Sequence, residues 1–97
     1  MIFLSYASSD VFQAQEVARR LRQCGMNYWI DSERLDLSGD VERQIHGAIR
    51  AASGLLVLDS PSSRSSMWVS LERAFAKSLG RREVVLPVTA AREPALP

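Results

Sequence analysis

The sequence is short of the residues that build several common kinds of site. It holds one cysteine, Cys24, and one histidine, His46. A lone cysteine excludes an intrachain disulfide framework and any cysteine-rich metal site. An excess of one charge is also lacking, with 12 Lys+Arg against 11 Asp+Glu and a net charge of +1. Cations interleaved with acids are not the clustered set that counterion release from nucleic acid requires. Apolar runs such as residues 54–58 fall far below the roughly 20 residues that span a bilayer. No basic leader or cleavage-site pattern surrounds Ile2-Phe3-Leu4. These absences point to a cytoplasmic chain with no metal, no membrane partner and no direct nucleic-acid partner.

What is present suits a single globular domain over residues 1–97, with 46% hydrophobic and 24% charged residues. Two periodicities alternate along it. Residues 2–5, 27–30, 54–58 and 84–88 are short β-branched or aromatic runs of near-continuous hydrophobicity, as in a parallel sheet covered on both faces. Between them lie stretches of helical period. The first carries Val11, Ala14, Val17, Ala18 and Leu21, with Ser8, Ser9 or Asp10 as cap and Gly25 as stop. The second carries Val41, Ile45, Ala48, Ile49 and Ala52. The third carries Trp68, Leu71, Phe75 and Leu79, capped by Ser65 or Ser66 and stopped by Gly80. The order β-α-β-α-β-α-β predicts a flavodoxin-like, doubly wound parallel sheet. Residues 89–97 read as a turn-like tail.

In open α/β sheets the ligand site lies outside the carboxyl ends of the strands. Those ends are polar here: Ser5-Tyr6-Ala7-Ser8-Ser9-Asp10, then residues 31–39, then residues 59–66. The opposite ends carry plain turns. Trp68 and Glu72 stand one helical turn apart on one face of the third helix, an aromatic plate beside a carboxylate. For such a pair taken alone, a core tryptophan and a solvated glutamate are the usual reading. His46 reads as a solvated helix residue and Cys24 as a packed one. Arg19, Arg20, Arg22, Arg81 and Arg82 read as solvated faces.

Taken in order, these residues resemble a TIR domain (Toll/interleukin-1 receptor type), closest to bacterial members. Residues 2–10 are similar to the first TIR box, a strand ending in Ser-Tyr and a short acidic loop. Trp29-Ile30-Asp31 with Leu35 and Gly39 resemble the second strand and the long loop that follows it. Ile45 through Ala52 resemble the next helix. Residues 55–61 with Ser66, Met67, Trp68 and Glu72 resemble the third strand and the catalytic helix, and residues 84–88 the fourth strand. The family's fifth strand and last helix have no counterpart, so the chain reads as C-terminally incomplete, with a fused sensor domain expected after Pro97. Asp40-Val41 stand where many members carry an aromatic after the loop glycine.

The resemblance implies an NAD⁺ glycohydrolase activated by assembly, with NAD⁺ as substrate and no cofactor. Glu72 falls where the family's catalytic glutamate lies. Trp68 would wall the ribose pocket and Tyr6 would stack on a ring of the dinucleotide. Ser5, Ser8 and Asp10 would supply loop hydrogen bonds, and Trp29 and Asp31 would share the rim. Glu33, Arg34, Leu35, Asp36 and Gly39 would belong to the loop through which copies associate with each other or with other TIR domains, an assembly role in bacterial immunity. A non-catalytic TIR–TIR interaction module is the alternative. A phosphoacceptor receiver domain shares the alternation and places an aspartate, here Asp59, after the third strand. It needs an acid pair after the first strand, which Ser5-Tyr6-Ala7 does not supply.

Overall fold

The computed structural model describes residues 1–88; the tail read from residues 89–97 lies outside them. Strands β1 (Ile2–Ser5), β2 (Tyr28–Trp29), β3 (Gly54–Asp59) and β4 (Arg82–Pro87) form one parallel sheet in the order β2-β1-β3-β4. The helices between them are α1 (Val11–Gln23), α2 (Asp31–Arg34), α3 (Val41–Ala51), α4 (Pro61–Arg64) and α5 (Met67–Ser78). The chain winds outward from β1 to β2, then crosses back over β1 to β3. The reversal leaves a crevice between β1 and β3 at their carboxyl ends, which is where such sheets bind ligands.

Strand alternation sends neighbouring side chains to opposite faces. Leu4, Tyr6, Tyr28, Ile30 and Leu58 pack against Ala14 and Ala18 of α1. Phe3, Trp29, Leu55 and Val57 pack on the other face against Ile45, Ala48 and Ile49 of α3 and Val69 and Ala76 of α5. The sheet is therefore doubly wound, as expected. Ser5, two residues beyond Phe3, faces α5, and this register brings it to the site.

Several local expectations change. The helical stop at Gly25 holds, with φ +73, and that at Gly80, with φ +70; both are left-handed conformations that glycine adopts without a Cβ clash. The cap before α1 differs: Asp10 stands at the N-cap position but makes no side-chain cap bond, because its carboxylate accepts from the Ser60 hydroxyl. Ser66, not Ser65, caps α5, accepting from the backbone N–H of Val69 at 3.2 Å. The fourth strand begins two residues earlier than the hydrophobic run, at Arg82, which pairs with Gly54. A Cβ on Gly54 would stand 2.8 Å from the Arg82 carbonyl oxygen, so the missing side chain permits that pairing. β4 is exposed along its whole length, so the two-sided cover predicted for all four strands fails there among the described residues.

Candidate active site

The buried stripe of α5 is Val69, Glu72 and Ala76, one residue round the helix from the apolar stripe read in the sequence. Trp68 and Leu71 of that predicted stripe are instead exposed, at 41% and 58%. A carboxyl group thus occupies the middle of a core-facing stripe, with Glu72 only 6% exposed. Its Oε1 accepts a 2.7 Å hydrogen bond from the hydroxyl of Ser5, which is wholly buried at the end of β1. Burial pushes the Glu72 carboxyl up to about 8, and the charge of Asp31 adds to the rise. The Ser5 hydroxyl and the Trp68 indole act in the opposite direction by favouring the carboxylate.

Two openings meet at Trp68. One is a groove of about 470 Å³ between α3 and α5, lined by Glu42, Ile45, His46, Trp68, Leu71, Glu72, Ala74 and Phe75. The other is a pocket of about 520 Å³ above the strand ends, lined by Tyr6, Ser8, Val11, Asp31, Ser66 and Trp68. Glu72 opens on the groove, and the indole divides it from the pocket. The groove's walls carry apolar side chains with two carboxyl groups and an imidazole, and no lysine or arginine lines them. Such a lining suits a flat, positively charged ring better than an anion.

Of the residues predicted for substrate, Tyr6, Ser8, Asp31 and Trp68 come together around the upper pocket. Tyr6 is buried, and its hydroxyl donates a short hydrogen bond to Asp31 Oδ1. Burial raises the Tyr6 phenol first, and the hydrogen bond to Asp31 raises it further. The remaining residues are placed differently. Ser5 lies behind Glu72 and holds it, with no surface left to meet a ligand. Asp10, 1% exposed, is turned to Ser60 and clips the β1 loop to the β3 loop. Trp29 does not share the rim: it stacks on Phe3 at 5.0 Å and 8° inside the α3/α5 core. Packing claimed it because residue 29 lies opposite Phe3 in the β1–β2 register.

The expected assembly loop begins as the single helical turn α2, and it is tied at three points, two through its side chains and one through its backbone. Asp31 is held by Tyr6. Glu33 accepts from the Tyr28 hydroxyl at 3.0 Å, which itself accepts from Arg22 at 2.7 Å. Gln44 of α3 accepts from the backbone N–H of Asp36 and donates to its carbonyl oxygen, both at 2.8 Å. Gly39 lets that amide approach, since a Cβ there would stand 2.9 Å from Gln44 Nε2. Leu35 packs partly into the core, whereas Arg34 and Leu37 project outward, Leu37 with 79% exposure.

Sequence reasoning missed the α3 wall. His46 is half-buried rather than solvated, stacked on Phe75 at 4.1 Å and 18°, with the Arg50 guanidinium 5.3 Å from the same ring. The spacing of residues 42, 46 and 50 on one helical face was the available signal. Cys24, expected to be packed, is exposed. Asp59 is paired with Arg64 through two bonds of 3.0 and 2.9 Å, which holds its carboxyl below the usual range. No group of three metal-ligating side chains occurs among the described residues.

The sequence model of the TIR domain matches residues 2–97. No curated protein matches the chain in sequence. Among solved structures, the TIR domain of the Toll-related receptor TRR-2 from Hydra magnipapillata superposes with a TM-score of 0.77 at 15% identity, covering 99% of this chain and 74% of that one. The TIR domains of the activated Roq1 resistosome, which recognises the pathogen effector XopQ, give a TM-score of 0.75 at 21% identity, covering 91% of this chain and 55% of theirs. At these identities the superpositions establish the fold alone. With the family match running along nearly the whole chain, the protein belongs to the TIR domain family.

Proposed function

We propose that this TIR domain is an NAD⁺ glycohydrolase whose catalytic group is Glu72, and that its activity depends on association with other copies in the cytoplasm. The observation that carries the reading is a carboxyl group buried in α5, oriented by Ser5, and opening on a groove walled by Trp68. Nicotinamide in NAD⁺ is a pyridinium. When the bond from its nitrogen to ribose C1′ breaks, the electron pair stays on nitrogen and a neutral molecule departs, so the leaving group needs no general acid. Positive charge develops on the ribose, and the Glu72 carboxylate stabilises it electrostatically in a site largely screened from water. Water then bonds to C1′, giving ADP-ribose and releasing one proton.

The electrostatics suit this division of labour. With its carboxyl raised to about 8 by burial, Glu72 favours the protonated form in the free protein at pH 7. A bound pyridinium favours the ionised form, so substrate recruits the charge that its cleavage requires. Trp68 offers a ring face to the nicotinamide or the ribose. Tyr6, Ser8 and Asp31 line the adjoining pocket where the remainder of the dinucleotide would lie.

An adaptor role without turnover is favoured by one observation, the well-anchored 31–40 loop that presents Leu37 almost fully to solvent. The two readings are compatible if association switches on catalysis. The similarity to TIR domains from an assembled resistosome supports an associating module. Nicotinamide release by the chain and by Glu72→Ala, both verified as folded, separates them. Release that vanishes in the variant supports the glycohydrolase. No release at any protein concentration leaves the adaptor.

A further inference from the structure

The groove beside Glu72 has one wall to which the proposed reaction gives no role. That wall is α3, which contributes Glu42, Ile45 and His46, while Trp68, Glu72 and Phe75 of α5 line the other side. His46 is half-buried there, its imidazole stacked on the Phe75 ring at 4.1 Å and 18°. Building on the glycohydrolase reading, we propose that His46 is a specificity-determining residue: as a neutral ring it lets the groove take a pyridinium, and as a cation it turns that ring away.

Charge decides what the groove admits. Among its lining residues only Glu42, His46 and Glu72 can carry charge, and the two carboxyl groups are either neutral or negative. The imidazole is thus the one lining group able to set a positive charge beside that of the substrate. Stacking fixes its place: Phe75 covers one face of the ring, and the same phenyl carries the Arg50 guanidinium 5.3 Å from its centroid. Glu42 and Arg50 stand one helical turn to either side of His46 on α3, one of each sign. On α5 the titratable group in the groove is Glu72; Arg73 is engaged by Glu83 of β4, and neither Arg73 nor Lys77 lines the groove. A neutral aromatic wall attracts a pyridinium, whereas an imidazolium in the same place repels it. Nicotinamide, the neutral product of cleavage, has the same ring without the charge, so the protonation of His46 bears on substrate and not on product. By linkage, a bound pyridinium opposes that protonation by the same factor.

Two small probes test this on the chain itself: the nicotinamide cation methylated at its ring nitrogen, which has no glycosidic bond to cleave, and neutral nicotinamide. Each is titrated into the parent, His46→Gln and His46→Lys while the Trp68 indole N–H is followed by NMR. At pH 8, His46→Lys should weaken binding of the cation about tenfold and change that of nicotinamide by less than about twofold. Between pH 8 and pH 5.5 the preference for the cation should fall at least about threefold further in the parent than in His46→Gln, where the carboxyl groups alone titrate. A cation bound undiminished by His46→Lys, or both ligands weakened alike, overturns the proposal. So do equal falls with pH in the parent and His46→Gln, and so does a parent that binds no cation. If His46→Lys fails to fold, the comparison with His46→Gln still decides. Neither readout uses turnover: loss of the glycohydrolase reading shows as absent or Glu72-independent nicotinamide release, whereas loss of this proposal shows in the ratio of the two affinities.

Discussion

Glu72 has a double effect, because the burial that suits it to catalysis works against the folded state at high pH. Its folded-state value of about 8 lies above that of an unfolded glutamate, near 4.5. The native chain therefore binds the proton more tightly than the unfolded one between those values, and stability falls as pH rises through the interval. The contribution is fully present below about pH 4.5 and gone above about pH 8, amounting to something on the order of 5 kcal/mol. Glu72→Gln, which cannot ionise, should lose this dependence. Urea denaturation at pH 5 and pH 8.5 is expected to show a drop for the parent that is much smaller in the variant; parallel drops would contradict the assignment. Since the ionised form carries the chemistry, kcat/KM for NAD⁺ should rise with pH and level off above about pH 8. A profile flat between pH 6 and 9 would mean that another group limits the reaction.

At the scale of elements, most of the fold was legible because hydrophobic period and turn residues agree. The starts of β1 and β3, the apolar faces of α1 and α3, and both glycine stops follow directly from residue spacing. The single turns α2 and α4 were not legible, because four residues carry no period. α4 forms through a capping box, in which Ser60 accepts from the Ser63 N–H at 3.0 Å and Ser63 from the Ser60 N–H at 2.8 Å. The α5 stripe misled for a related reason. Trp68, Leu71, Phe75 and Leu79 form a sound helical face by hydropathy, yet the neighbouring face with Glu72 is the more deeply buried. Hydropathy cannot reveal that a glutamate is held in the core by Ser5, a residue 67 positions away. Likewise Trp29 and Asp10 looked available because each ends a strand or starts a helix, and long-range partners took both. The choice between the two cap candidates of α5 is testable. Ser66→Ala should cost about 1 kcal/mol in urea denaturation. Ser65→Ala should change stability by less than about 0.5 kcal/mol, since its exposed hydroxyl bonds only to the Pro61 and Ser62 carbonyls. Equal costs would contradict the cap assignment.

Across the whole molecule the site sits at the reversal of strand order, and the 31–40 loop extends from it into solvent. Leu37, 79% exposed on an anchored loop, is the side chain best placed to be covered when copies meet. Leu37→Asp should keep the fold and the Glu72 titration while abolishing any rise of specific activity with protein concentration; a retained rise would place the contact elsewhere. No helix among the described residues is long and apolar enough to cross a membrane. The central claim is nevertheless chemical, and the most direct measurement is nicotinamide release from NAD⁺ by the parent and by Glu72→Gln, followed by chromatography in dilute and in concentrated protein. The account predicts release that grows with concentration in the parent and falls at least about 100-fold in a variant that remains folded. Equal release from both would contradict it.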